Sequence, residues 1–247
     1  MSIDPITIDD VPLTLLRGDG ADSSASRACL LCYHGFTSST AAWLHDLDRF
    51  VQAGFTVAGV DAVGHGRRRN PEFDRRFADP ADRKAALIDV VRATSAEVPA
   101  LLDALVRQGI ADEGRSGAFG VSMGGFIVYA AVTKEPRLAA AVALLGSPNW
   151  WMRPSSESPH RNLDAFGRVR LLSLTAGRDE AVPPVYAAAF HERLARRFDD
   201  HAERFRHLDY PASEHFMDPA DWESAMGASC DWFRRHLHPA QRPPPCR

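Results

Sequence analysis

Short, wholly apolar runs alternate along the chain with longer amphipathic ones. Pro5 to Asp9 and Pro12 to Arg17 alternate apolar and polar residues around a short turn, the pattern of an antiparallel hairpin. Gly18 to Arg27 is a Gly, Ser and Asp loop. Ala28 to Tyr33, Phe55 to Val60, Leu138 to Leu145 and Val169 to Ala176 are continuously apolar, as strands buried on both faces of a parallel sheet are. Arg204 to Tyr210 predicts a further strand. Periodicity predicts helices over Ala41 to Ala53, Asp82 to Gln108, Pro184 to Phe198 and Pro219 to Leu237. Ser39 or Thr40 would cap the first of these and Gly54 end it, Pro99 must kink or split the second, and Asp218 would cap the last. Arg67 to Ala81 reads as a charged loop carrying Phe73 and Phe77. Ser147 to Arg168 reads as irregular, and Pro239 to Arg247 as a loose tail.

A hairpin followed by repeated strand–helix units is an α/β pattern. It predicts a mostly parallel sheet of about eight strands with helices on both faces. Nothing resembles a linker, so residues 1–238 are expected to form one domain with a short lid at about 146–168. In open sheets of this class ligands bind beyond the carboxyl ends of the strands.

Composition narrows the picture only by exclusion. The net charge of -3 gives no electrostatic case for a nucleic-acid partner. Met1 to Val11 lacks the cationic start and apolar core of a secretory signal. No apolar run approaches the ~20 residues of a membrane span. Cys29 and Cys32 form a C-x-x-C inside a strand, where residues three apart point to opposite faces. No second Cys or His pair lies near enough to complete a zinc set. The expectation is a cytoplasmic protein without metal or cofactor, a monomer or homodimer acting on a small molecule.

The chemistry centres on Phe119-Gly120-Val121-Ser122-Met123-Gly124-Gly125, between a predicted strand and an apolar helical run from Phe126 to Val132. A tight turn there would lift the Ser122 hydroxyl above the sheet, with glycines where side chains would collide. It would also aim a helix N-terminus at developing negative charge. Serine needs an adjacent base to act as a nucleophile. Among ten histidines, His215 lies in the loop after the last strand, and His160 is a weaker rival. Asp179 follows the Val169 to Ala176 strand and would orient His215, with Glu180 its nearest rival. The order Ser122, Asp179, His215 suits a nucleophile on a strand-to-helix turn. Oxyanion donors would be the backbone N–H groups of Met123 and Phe36. His34 and His65 read as holding the loops beside the site.

His34-Gly35-Phe36, Asp61-Ala62-Val63-Gly64-His65-Gly66, Gly120 to Gly125, Gly177-Arg178-Asp179 and Glu214-His215 occur in the order of the α/β-hydrolase superfamily. From about Ala28 to His236 the chain resembles its small bacterial serine esterases of the dienelactone-hydrolase and prolyl-oligopeptidase-like branch. The resemblance implies the α/β-hydrolase fold and a cofactor-independent serine hydrolase. Dienelactone hydrolases proper carry a cysteine nucleophile where this chain has Ser122, and prolyl peptidases carry a propeller for which there is no length. Short-chain carboxylic esters are the first expectation, with Trp150 and Trp151 as the substrate-binding wall. A peptide, amide or C–C bond hydrolase is the second, for which Glu157 is the visible acidic anchor. A non-catalytic ligand-binding protein of the same fold is the third.

Overall fold

The computed structural model describes residues 1–18 and 28–238. The expected tail at 239–247 and most of the Gly18 to Arg27 loop lie outside the described residues. The hairpin is present as β1 (Ser2–Ile8) and β2 (Val11–Arg17), paired antiparallel. Then follow β3 (Cys29–Tyr33), β4 (Thr56–Val60), β5 (Ser116–Val121), β6 (Leu138–Leu144), β7 (Arg170–Ala176) and β8 (Phe205–Tyr210). They lie in one sheet in the order β1-β2-β4-β3-β5-β6-β7-β8. Only β1–β2 and β2–β4 pair antiparallel.

The apolar runs form central strands because the sheet is covered on both faces. Every residue of β3 and β5 is buried. Cys29, Leu31 and Tyr33 join the apolar layer under α2 (Pro71–Ala78), α3 (Arg83–Ala96), α4 (Val98–Arg107), α5 (Met123–Val132) and α6 (Val185–Arg197). Leu30 and Cys32 join the layer under α1 (Leu44–Gln52) and α8 (Pro219–Leu237). Alternation thus puts the two cysteines on opposite faces of one strand. Both are free thiols, and burial pushes Cys29 up to about 12.

Two elements differ from the sequence reading, and a third is split as Pro99 required. The Arg67 to Ala81 stretch is not a loop throughout: Asn70 accepts from the Phe73 N–H, Pro71 opens α2, and Phe77 anchors it to the core. The Asp82 to Gln108 helix is two helices, divided at Glu97, with Pro99 tolerated in the first turn of the second. The Ala41 to Ala53 helix begins as a 3-10 turn over Thr40–Trp43 and becomes α-helical only at Leu44. Asp218 does cap α8, accepting from the N–H groups of Ala220 and Asp221. A four-residue helix, α7 (His201–Arg204), leads into β8.

Candidate active site

Ser122 stands between β5 and α5 with φ 56° and ψ -116°, in the strained region expected of a sharp strand-to-helix turn. The turn is possible because neighbouring backbone closes on it. A Cβ on Gly120 would strike the Gly124 carbonyl, and one on Gly124 would strike the Tyr33 carbonyl. The Ser122 N–H donates to the Leu144 carbonyl at 2.8 Å, tying the turn to the end of β6. Met123 is the first residue of α5, so its N–H has no partner within the helix.

The residues named from the sequence converge here from three strand ends. Ser122 Oγ lies 3.0 Å from His215 Nε2, and His215 Nδ1 lies 2.7 Å from Asp179 Oδ2. The other Asp179 oxygen accepts from the N–H groups of Ala181 and Val182 at 2.9 and 2.8 Å. Four per cent exposed and held at both oxygens, this carboxylate is fixed toward the imidazole. Glu180, the rival acid, points to solvent. His160, the rival base, is engaged by Ser158 Oγ at 2.7 Å.

Gly35 lies beside Ser122: a Cβ there would be 3.8 Å from Ser122 Cβ. Phe36 follows on the same loop, which two histidines and an aspartate shape. His34 Nδ1 bonds the Gly35 carbonyl at 2.8 Å, and its Nε2 accepts from the Ala62 N–H at 3.1 Å. Accepting through Nε2 requires a neutral ring, and burial accordingly lowers the His34 pKa. Asp61 joins the same two loops. Its carboxylate accepts from the Thr40 N–H at 2.8 Å, the Arg67 N–H at 3.0 Å and Arg67 Nε at 3.2 Å. Burial alone would raise Asp61, but these hydrogen bonds hold it below the usual carboxylate range. His65 bonds the Val63 carbonyl, and its ring rests against Phe36 and Phe77. His34 and His65 both hold loops, as their turn positions suggest.

The aromatic wall needs correction. Trp150 is wholly buried and packs in the core, so it has no surface to offer a substrate. Trp151 is half-buried, rests on Phe126 one turn beyond Ser122, and stacks on Tyr186 at 4.6 Å. Tyr186 was not visible from the sequence as part of this surface, because it lies in a different element 35 positions away in the chain. Phe77 is buried edge-on against Phe36 and supports the loop. Glu157 is taken up by Arg92 at 2.7 and 3.1 Å. Together with Arg153–Asp89 at 2.5 Å, that pair straps the Ser147 to Arg168 segment to α3.

Among the described residues, no group of three His, Cys, Asp or Glu could hold a metal, and no helix is long and apolar enough to cross a membrane.

Known proteins carry the same arrangement of elements. A Klebsiella pneumoniae protein named "Putative Dienelactone Hydrolase" superposes with a TM-score of 0.76 at 18% identity, over 95% of this chain and 99% of that one. A Mycobacterium tuberculosis puromycin-hydrolyzing peptidase gives 0.73 at 18% identity, over 95% of this chain and 39% of that one. In sequence, the Bacillus subtilis protein named "Putative esterase YitV" is 24% identical over 232 residues, 83% of this chain and 87% of that protein. The family model described as serine aminopeptidase, S33, matches residues 24–173, a span that runs through β3 and the serine turn to the middle of β7. With that match over more than half its length and an eight-stranded, mostly parallel sheet behind it, the chain belongs to the S33 serine aminopeptidase family of the α/β-hydrolase superfamily and is a serine hydrolase.

Proposed function

We propose that this enzyme hydrolyses short-chain carboxylic esters, with Ser122 as nucleophile, His215 as general base and acid, and Asp179 as the group that orients His215. The observation that carries this is the unbroken chain from Ser122 Oγ to His215 at 3.0 Å and on to Asp179 at 2.7 Å, starting from a strained serine at a helix N-terminus. His215 Nε2 takes the hydroxyl proton as Ser122 Oγ bonds to the ester carbonyl carbon. The carbonyl electrons move to oxygen, which accepts from the N–H groups of Met123 and Phe36. The tetrahedral adduct collapses with loss of the C–O bond, and His215 gives its proton to the departing alcohol. Water then repeats the sequence on the acyl-enzyme, releasing the acid and restoring Ser122. Asp179 remains ionised and stabilises the imidazolium.

The size preference rests on the segment between β6 and β7. It holds only short 3-10 turns, and Trp151 on Tyr186 gives it one aromatic wall. Such a surface contacts a few methylenes and leaves longer chains in water. Peptide hydrolysis is the weaker reading, because Glu157, the acidic anchor for a substrate amino group, is already neutralised by Arg92.

The test is a p-nitrophenyl ester series from acetyl to palmitoyl, beside fluorophosphonate labelling. Ser122→Ala should abolish labelling and lower kcat on the order of a millionfold. In the parent enzyme kcat/KM should peak at acyl chains of about two to six carbons. Unchanged turnover in the variant removes Ser122 from the mechanism, and a rate that climbs to palmitoyl overturns the size reading.

A further inference from the structure

The residue after His215 is the anomaly of this surface. Phe216 is 93% exposed, and no other phenylalanine in the chain is exposed. Its ring meets the His215 imidazole edge-on, with centroids 5.6 Å apart and an angle of 86°. Phe216 is not on a loose end. Ser213 Oγ donates to Asp221 at 2.6 Å, and the Ser213 carbonyl accepts from the Arg178 N–H at 2.9 Å. The short loop that projects Phe216 is therefore pinned to α8 and to the loop that carries Asp179. Arg178, Ala181 and Glu214 line the same open groove. A large apolar ring held in water beside the base leaves its hydrophobic contact to be made by something else.

We propose that Phe216 determines specificity by packing against the leaving alcohol of the ester, so that the enzyme selects esters whose alcohol carries a bulky apolar or aromatic group. The inference rests on the serine-hydrolase reading above. Its geometry follows from the proton. His215 Nε2 must deliver its proton to the alcohol oxygen, so the alcohol departs on the His215 side of the reaction centre. The oxyanion lies on the other side, toward Met123 and the Gly35–Phe36 loop. Acyl and alcohol groups thus diverge, and the alcohol is the one that passes the ring touching His215. Contact made there during acylation raises kcat/KM.

Acetate esters of methanol, butanol and 2-phenylethanol isolate this step, because all three pass through one acetyl-enzyme. In the parent enzyme kcat/KM should rise at least about tenfold from methyl to 2-phenylethyl, an estimate from the apolar area a phenyl group can cover. In Phe216→Ala the rise should fall below about threefold, and Phe216→Leu should restore part of it. A p-nitrophenyl series varied in the acyl group should keep its shape in both variants, which general damage to the site would not allow. The same rise in Phe216→Ala as in the parent overturns the proposal, as does an equal flattening of both series. Fluorophosphonate labelling of Ser122, with fluoride as the leaving group, gives a second measure that needs no turnover. If Ser122 is labelled but the parent enzyme hydrolyses the three acetates equally well, the Phe216 inference fails alone. If Ser122 is not labelled, the hydrolase reading fails and takes the inference with it.

Discussion

Asp61 touches no proposed catalytic residue, yet removing it should damage both stability and turnover. Its carboxylate is 3% exposed and gathers the Thr40 N–H, the Arg67 N–H and the Arg67 guanidinium. Asp61→Ala deletes all three interactions at once. Arg67 is 40% exposed and can turn to water, so its loss costs little. Thr40 is buried, and its N–H would be left without an acceptor. An orphaned buried donor costs about 1–3 kcal/mol, and the lost charge-assisted bond about 1.5–3 more. A total of about 2.5–6 kcal/mol should lower Tm by about 5–24 °C in a chain of this size. The Thr40 end of the Phe36 loop would be released, so kcat should fall together with the rate of fluorophosphonate labelling. The sign of the pH dependence follows from the folded carboxyl being lowered. Its contribution is complete above the unfolded value of about 3.9 and disappears as pH falls through the lower folded value. The gap between parent and Asp61→Asn should therefore narrow only below about pH 4. Urea melts between pH 3 and 8 would measure it. A variant within about 1 kcal/mol of the parent at pH 7, or a gap constant down to pH 3, would refute this account of the loop.

The two tryptophans should separate cleanly: Trp150→Ala should cost about 3–5 kcal/mol of stability, whereas Trp151→Ala should leave Tm nearly unchanged and blunt the preference for short acyl chains. Similar losses of stability in both would contradict the packing seen here. His191, on the sheet-facing side of α6, bonds Ser173 Oγ at 2.8 Å, stacks on His207, and is lowered to about 3 by burial. It must gain a proton on unfolding below about pH 6.5, so stability should decline from there toward pH 3. His191→Gln should flatten that decline by up to about 1.4 kcal/mol per pH unit in equilibrium melts, and an unaltered slope would show that His191 is not its source.

The sequence disclosed whatever rests on period and punctuation. Runs such as Ala28 to Tyr33 could be strands only if covered on both faces, and they are. The serine turn was legible because glycines stand where backbone must pass backbone. The helix α2 was hidden because its apolar stripe is just Phe73 and Phe77 amid charges, although Asn70-Pro71 already spelled a cap and a first turn. The opposite fates of Trp150 and Trp151 could not be read. Adjacent residues in an irregular segment have no period to assign them faces, and only the core beneath decides which one is swallowed.

The order in which the strands enter the sheet bears on biosynthesis. The turn of Ser122 follows β5, the loop of Asp179 follows β7, and the loop of His215 follows β8, the outermost strand on its side of the sheet. A nascent chain that has made only β1 to β7 holds Ser122 but not His215, and it lacks α8, whose Trp232, Phe233 and Leu237 complete the layer on one face. Chains arrested before Phe205 should therefore resist a fluorophosphonate probe, both for want of the proposed base and because one face of the sheet is incompletely covered. Competence is thus a late event in synthesis, coupled to the completion of one edge.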